Sequence, residues 1–131
     1  MSLIFVFFAM LFCHIIDDFV LQGKLAELKQ KEWWEEHYPN DKYKFDYITC
    51  LIAHAVEWTF MITLPLAIHA GFNTTPLYIL GFIVNVIIHA VTDDLKCNKK
   101  LICLEADQII HLTQIIFTFF IYALVKKFGI M

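Results

Sequence analysis

Arginine is absent from this chain of 131 residues, and its ten lysines are outnumbered by 13 acids, leaving a net charge of −3. A chain without arginine or a basic surplus is poorly equipped to neutralise phosphate backbones, so nucleic acid is excluded as a partner. The four cysteines, Cys13, Cys50, Cys97 and Cys103, form no CxxC pair. They supply neither a thiolate zinc motif nor a dense disulfide framework. Those inside apolar runs read as small buried hydrophobes. No low-complexity segment occurs. The N-terminus also lacks the basic region and small-residue cleavage site of a signal peptide, so its hydrophobic stretch is expected to be retained.

What is present is apolar surface. Hydrophobic residues make up 60% of the chain and aromatics 16%, against about 45–50% apolar in ordinary soluble domains. Mean hydropathy is +0.64. This excludes a disordered chain and points away from a soluble protein with a single core. Length allows one domain, 1–131. Four stretches approach the roughly 20 apolar residues that a membrane crossing needs: 2–22, 47–70, 76–95 and 105–128. The expected fold class is an all-α membrane protein, with four transmembrane helices in an antiparallel bundle.

The connections differ in character. Residues 23–46 are polar and aromatic, and 24–37 read as a short helix with Leu25, Leu28 and Trp33 or Trp34 on its greasy side. Such a helix is expected to lie along the membrane interface and to end at Pro39 and Asn40. Residues 71–75 read as a tight turn, and 96–104 as a short basic link. Lysines set the orientation. The first connection holds five (Lys24, Lys29, Lys31, Lys42, Lys44) and the third three (Lys96, Lys99, Lys100), whereas the second holds none and the C-terminus two (Lys126, Lys127). The lysine-rich connections are therefore expected on the cytoplasmic side of the inner membrane, with both termini outside.

Ionisable side chains inside such spans cost at least ~2.5–3.5 kcal/mol each on insertion scales and are functional candidates by default. His14 and Asp18, His89 and Asp93, and Asp107 and His111 are each four residues apart, one above the other on one helix face. His54 adds a fourth imidazole on the second span, with Glu57 one turn on. Threading the spans alternately places His14, His54, His89 and His111 at one depth, roughly 10 Å in from the lysine-rich face. Asp18, Asp93 and Asp107 share a second level nearer the headgroups. Imidazole and carboxylate together suit a divalent metal. The candidate ligands are therefore His14, Asp18, His54, His89, Asp93, Asp107 and His111; zinc is favoured, manganese or iron are alternatives, and seven ligands leave room for one or two ions.

Other residues read as follows. Glu57 is a candidate general base, though a ligand or supporting role stays open. Lys96 closely follows a carboxylate cluster and is assigned to steady an anionic substrate, whereas Lys24 is read as reaching to the headgroups. Asp17 and Asp94 point about 100° away from their neighbours and are either supporting partners or water-facing. Gln22 and Gln108 suit orientation of ligands or water. Phe5, Phe7, Phe8, Phe117, Phe119 and Phe120 read as lipid-facing, and the lysines of the first connection as a solvated or headgroup-binding face. A weak internal echo, His-x-x-Asp-Asp in span one and His-x-x-x-Asp-Asp in span three, suggests two helical hairpins side by side.

The strings HIIDDFVLQGK (His14 to Lys24), HAVTDDLK (His89 to Lys96) and DQIIHL (Asp107 to Leu112), with His54 between the first two, resemble in order and kind a small integral-membrane family of bacteria and their phages, known as domain of unknown function 3307. The resemblance covers nearly the whole chain. More distantly, the chain is similar to inner-membrane proteins labelled metal-dependent hydrolases. The resemblance implies a shared His/Asp core carried by the seven residues named above, and supplies no substrate. The long charged insert after Lys24 and the doubled Asp93-Asp94 depart from the family pattern.

The leading expectation is a membrane-embedded metal-dependent hydrolase acting on phosphoesters at the cytoplasmic headgroup level, on a lipid-linked or membrane-proximal substrate. A divalent-cation or proton transporter is the first alternative. A non-enzymatic phage or bacterial membrane accessory protein is the second. A bis-histidine haem protein is disfavoured, because haem iron has no use for paired carboxylates. The lipid bilayer is the expected partner, and further oligomerisation is open.

Overall fold

The computed structural model describes residues 2–73 and 75–129. These residues are all-helical, with no strand among them. Four helices are long and apolar enough to cross a membrane. The first is α1 (Leu3–Ile16), extended through a π-helical turn over Asp17–Leu21. Two short helices follow, α2 (Leu25–Leu28) and α3 (Lys31–His37), and a 3₁₀ turn at Asp41–Tyr43 leads into α4 (Asp46–His69). The chain then forms α5 (Pro76–Cys97) and α6 (Leu104–Lys127).

Helix starts follow local chemistry. Ser2 Oγ accepts from the Phe5 amide at 3.4 Å, and Thr75 Oγ1 accepts from the Tyr78 amide at 3.2 Å, with Pro76 at the first helical position. Hydroxyl caps satisfy otherwise orphaned N–H groups, and proline has no N–H to lose there. In the expected turn at 71–75, of which residue 74 lies outside the described residues, φ is positive at Gly71 (67°) and Phe72 (59°). Glycine tolerates that backbone readily, whereas Phe72 adopts it against a Cβ clash.

Helix α4 packs on α1 and α5, and α6 packs on α5 and α1. One stripe per helix faces inward at four-residue spacing. On α1 it runs Val6, Met10, His14, Asp18; on α4 it runs His54, Trp58, Ile62, Leu66. On α5 it runs Asn85, His89, Asp93, and on α6 Asp107, His111, Ile115. The stripes of α1, α4 and α6 are polar at one end, and that of α5 is polar throughout. The remaining length of α1, α4 and α6 supplies a common apolar cluster of Val6, Met10, Trp58, Ile62, Leu66, Ile115 and Tyr122.

The distribution of polarity is inverted relative to a water-soluble domain. His54, His89, His111, Asp17 and Asp107 are fully buried, while Phe5, Phe8, Phe117 and Phe120 are 57–64% exposed. Two phenylalanines depart from the lipid-facing assignment. Phe7 and Phe119 pack against the apolar cluster, their rings 5.1 Å apart, and tie α1 to α6.

The expected single helix over 24–37 is broken between α2 and α3, where Gln30 is extended (φ −96°, ψ 122°). The cause is tertiary. Asn98, beyond the end of α5, accepts from the Lys31 amide at 2.7 Å and donates to the Lys29 carbonyl at 3.2 Å. Both backbone groups at the break are therefore satisfied from outside, and the Lys29 side chain turns inward. Rather than standing apart, α2 and α3 both contact α4.

Candidate metal centre

Asp17 and Asp18 are both buried at the start of the π-helical turn. Here the ladder widens, with the Gln22 amide bonded to the Asp17 carbonyl at 3.0 Å. Asp17 is fully buried with Oδ2 3.9 Å from His54 Nδ1, while Asp18 Oδ2 stays 3.7 Å from His14 Nδ1. Single-turn π segments are frequent at functional sites. Gln22 donates from its side chain to the Asp18 carbonyl and braces the turn.

Two groups of three gather around His89. One is Asp18, His54 and His89; the other is His89, Asp93 and His111, and within each the ligand atoms lie within 4.8 Å of one another. His54 Nε2 is 3.6 Å from both Asp18 Oδ1 and Asp93 Oδ2. His89 Nε2 is 3.8 Å from Asp93 Oδ2. His111 Nε2 is 3.4 Å from Asp93 Oδ1 and 3.3 Å from Asp107 Oδ1. These separations exceed the usual 2.7–3.2 Å of a hydrogen bond. They suit atoms that share an ion, since ligands ~2.0–2.1 Å from a tetrahedral zinc stand roughly 3.3 Å apart.

The imidazoles of these groups, and two nearby acids, carry orphaned atoms. Both ring nitrogens of His54 and of His89, Nε2 of His111, both carboxylate oxygens of Asp17 and Oδ1 of Asp107 are buried without a hydrogen-bond partner among the described residues. Native interiors rarely tolerate one such group unpaired, and a cluster on this scale fits a cation as its common partner.

The remaining predicted ligands are held differently. Trp58 Nε1 donates to His14 Nδ1 at 2.9 Å. An indole N–H only donates, so the Nδ1 lone pair is occupied and a neutral His14 carries its proton on Nε2. His14 thus lines the centre, with its ring 6.1 Å from that of His111, but lies outside both groups. Asp107 also lies outside them, accepting from Lys96 Nζ at 2.7 Å and from Gln108 Nε2 at 3.1 Å. Gln108 Nε2 reaches Asp18 Oδ2 as well, at 3.0 Å, so one amide steers two acids.

His111 has the opposite tautomer. Gln114 Nε2 donates to both the carbonyl and the side-chain oxygen of Asn85, each at 3.2 Å. Its Oε1 therefore faces His111 Nδ1, 3.4 Å away, as an acceptor. That puts the proton on Nδ1 and the lone pair on Nε2, toward the acids. Trp58 and His111 each stack on His89 at 4.2 Å and 24° and lie 5.3 Å from each other, so the three rings form one aromatic cluster.

Of the two predicted catalytic residues, Lys96 is in the cluster through Asp107, and its side chain is 29% exposed. Glu57 is half-buried on α4 and belongs to neither group. Asp94 lies at the periphery, pairing with Lys99 Nζ at 3.2 Å. Lys24 is exposed, stands over the Trp33 ring and pairs with Glu27, whose carboxyl that hydrogen bond and charge hold below its ordinary range.

The main departure from sequence reasoning is Lys29. Its expected place was a solvated or headgroup-binding lysine face. It is instead buried, with Nζ 2.5 Å from Asp93 Oδ2 and both side chains nearly inaccessible. Nothing local in the sequence separates Lys29 from Lys24 or Lys31; only the Asn98 clasp turns it inward. Trp58 was also overlooked, although it stands four residues after His54 on the same stripe, which would have found it. Protein-family models, curated proteins and solved structures yield no match to this chain.

Proposed function

We propose that the chain is an integral-membrane, metal-dependent hydrolase of phosphoesters. In this reading α1, α4, α5 and α6 cross the bilayer as an antiparallel bundle, with α2 and α3 at the interface and the lysine-rich ends cytoplasmic. The inverted polarity and the lengths of the four helices support it. The proposed kinship with the domain of unknown function 3307 family rests on the strings around His14, His54, His89 and Asp107.

The observation that carries the metal is the orphaned set around His89, spaced as ligands are. Formal charge supports it independently. Asp17, Asp18, Asp93 and Asp107 face Lys29 and Lys96, which leaves two negative charges unmatched when the histidines are neutral. Buried charges need partners, and one divalent cation supplies that charge. Asp18, His54, His89, Asp93 and His111 would hold it, zinc being favoured by the imidazole-rich set. A divalent ion there supplies Lewis acidity and lowers the pKa of water toward neutrality.

The chain's own residues supply the rest. Gln108 and Lys96 fix the Asp107 carboxylate. Lys96, the more open of the two lysines, is suited to meet an entering phosphoryl oxygen. Glu57 keeps the role of general base in this scheme. Depth in the bundle makes a lipid-linked phosphoester the natural substrate class.

The test is hydrolysis of lipid-linked phosphoesters by protein reconstituted in bilayers, with metal measured by elemental analysis. About one equivalent of divalent metal and turnover abolished by chelation are expected. Metal-free protein that still hydrolyses the ester contradicts the reading. One observation favours transport instead: His111, Gln114, Asn85 and Thr118 form a hydrogen-bonded thread away from the centre, closed by Asn85 Nδ2 donating to Thr118 Oγ1 at 3.0 Å. Flux into liposomes without hydrolysis would select that reading.

A further inference from the structure

Two cavities outside the ligand groups share a lining residue. A cavity of about 230 Å³ lies where α4 and α6 end, lined by His69, Ala70, Asn73, Tyr122 and Lys126. A second, of about 270 Å³, is walled by α4, α5 and α6 and is mostly apolar, with Leu66, Gly81, Phe82 and Val125 among its lining. Tyr122 belongs to both. The apolar cavity's rim residues Leu77, Leu80, Val84 and Phe117 are exposed, so it opens as a groove on the outer surface.

The polar cavity gathers the Lys126 ammonium and the Tyr122 hydroxyl around the His69 ring. Lys126 Nζ is 3.1 Å and 3.3 Å from the two ring nitrogens of His69. Tyr122 Oη is 2.6 Å from His69 Nδ1. Ion pairs among the described residues engage Lys24, Lys29, Lys31, Lys96, Lys99 and Lys100, and none engages Lys126. An ammonium, a phenol and the Asn73 amide around one space match a phosphate ester. The groove beyond Tyr122 matches a hydrocarbon chain. The polar cavity lies at the ends of helices long enough to cross a bilayer, the level of lipid headgroups, and the groove runs inward from there as far as Asn85 and Thr118.

We propose that this pair of cavities binds one anionic phospholipid: its phosphate among His69, Asn73, Tyr122 and Lys126, and an acyl chain in the groove between α5 and α6. Charge complementarity selects the anionic headgroup, and an apolar groove on the other side of the shared Tyr122 favours a lipid over a free anion. The site rests on the membrane reading and uses none of the proposed metal ligands.

Native mass spectrometry of the full chain, offered phosphatidylglycerol or phosphatidylcholine in mixed micelles, tests it. The wild type should retain one phosphatidylglycerol under conditions that strip phosphatidylcholine. Lys126→Gln should weaken that binding about tenfold, the order of one charge-assisted contact. Lys127→Gln makes the same charge change on a neighbouring position about 100° around the helix and should leave binding within about twofold. A Cβ at Gly81 meets nothing within 4 Å. Gly81→Leu is therefore accommodated by the backbone, fills the groove and should also weaken binding. Equal retention of the two lipids, or equal loss from both lysine variants, overturns the proposal. Inorganic phosphate that displaces the lipid from wild type while Gly81→Leu binds normally would assign the polar cavity to a free anion and likewise overturn it.

Discussion

Lys29 Nζ and Asp93 Oδ2 are 2.5 Å apart, buried together and 64 residues apart in sequence. The pair ties the polar connection after span one to a carboxylate of the candidate centre. A buried ammonium there competes with any cation for the same oxygen. Lys29→Met is therefore expected to act in two directions. Without metal it leaves Asp93 unpaired and should destabilise the protein by about 3–5 kcal/mol. With metal it removes the competitor, so affinity should rise. Thermal unfolding in detergent, with and without added zinc, checks both signs. A variant destabilised equally in both conditions would contradict the coupling.

Asn98 holds the break between α2 and α3 by accepting from the Lys31 amide and donating to the Lys29 carbonyl. Asn98→Ala should cost about 1–3 kcal/mol locally, the range for stranding backbone groups. Amide exchange should accelerate at residues 29–31 before it does so in α4 or α5. Unchanged exchange there would mean the break has another cause.

Tautomers separate His14 from His111. Nitrogen-15 spectra of histidine-labelled protein should show a lone pair on Nδ1 of His14 and a proton on Nδ1 of His111. Trp58→Phe removes the indole donor and should change the His14 signals. Gln114→Leu removes the acceptor for His111 Nδ1 and should lower metal affinity about 10–100-fold, the usual range for a group that orients a ligand. The same tautomer on both rings would refute the assignment.

Much of this centre was legible in sequence because helix periodicity is local. Four-residue spacing put imidazole and acid on common faces, and counting depth from the lysine-rich side aligned four histidines. The residues around the centre were illegible for non-local reasons. Asp17 is buried with Asp18 at the start of a π-helical turn, which no periodicity at 100° anticipates. Lys29 turns inward because Asn98, nearly 70 residues on, clasps its backbone. Phe7 and Phe119 face each other because α1 meets α6, a pairing that hydropathy along either helix does not encode. His14 and Asp107 match the ligand spacing, yet both lie outside the two groups, with Trp58 on His14 Nδ1 and Lys96 on one oxygen of Asp107.

His89 is the residue that both groups share, whereas Nδ1 of His14 is occupied by Trp58. His89→Ala should therefore abolish stoichiometric metal, while His14→Ala should retain it at reduced stability. Elemental analysis of both variants after mild purification, with helicity as the folding control, checks this. Equal metal loss from both would put His14 among the ligands.

The most direct measurement is anomalous scattering at a metal edge from crystals of the intact protein. The account predicts one divalent ion within bonding distance of His89, with further ligands from Asp18, His54, Asp93 and His111. Crystals grown with metal that show no ion among these side chains, or an ion bound elsewhere, would contradict it.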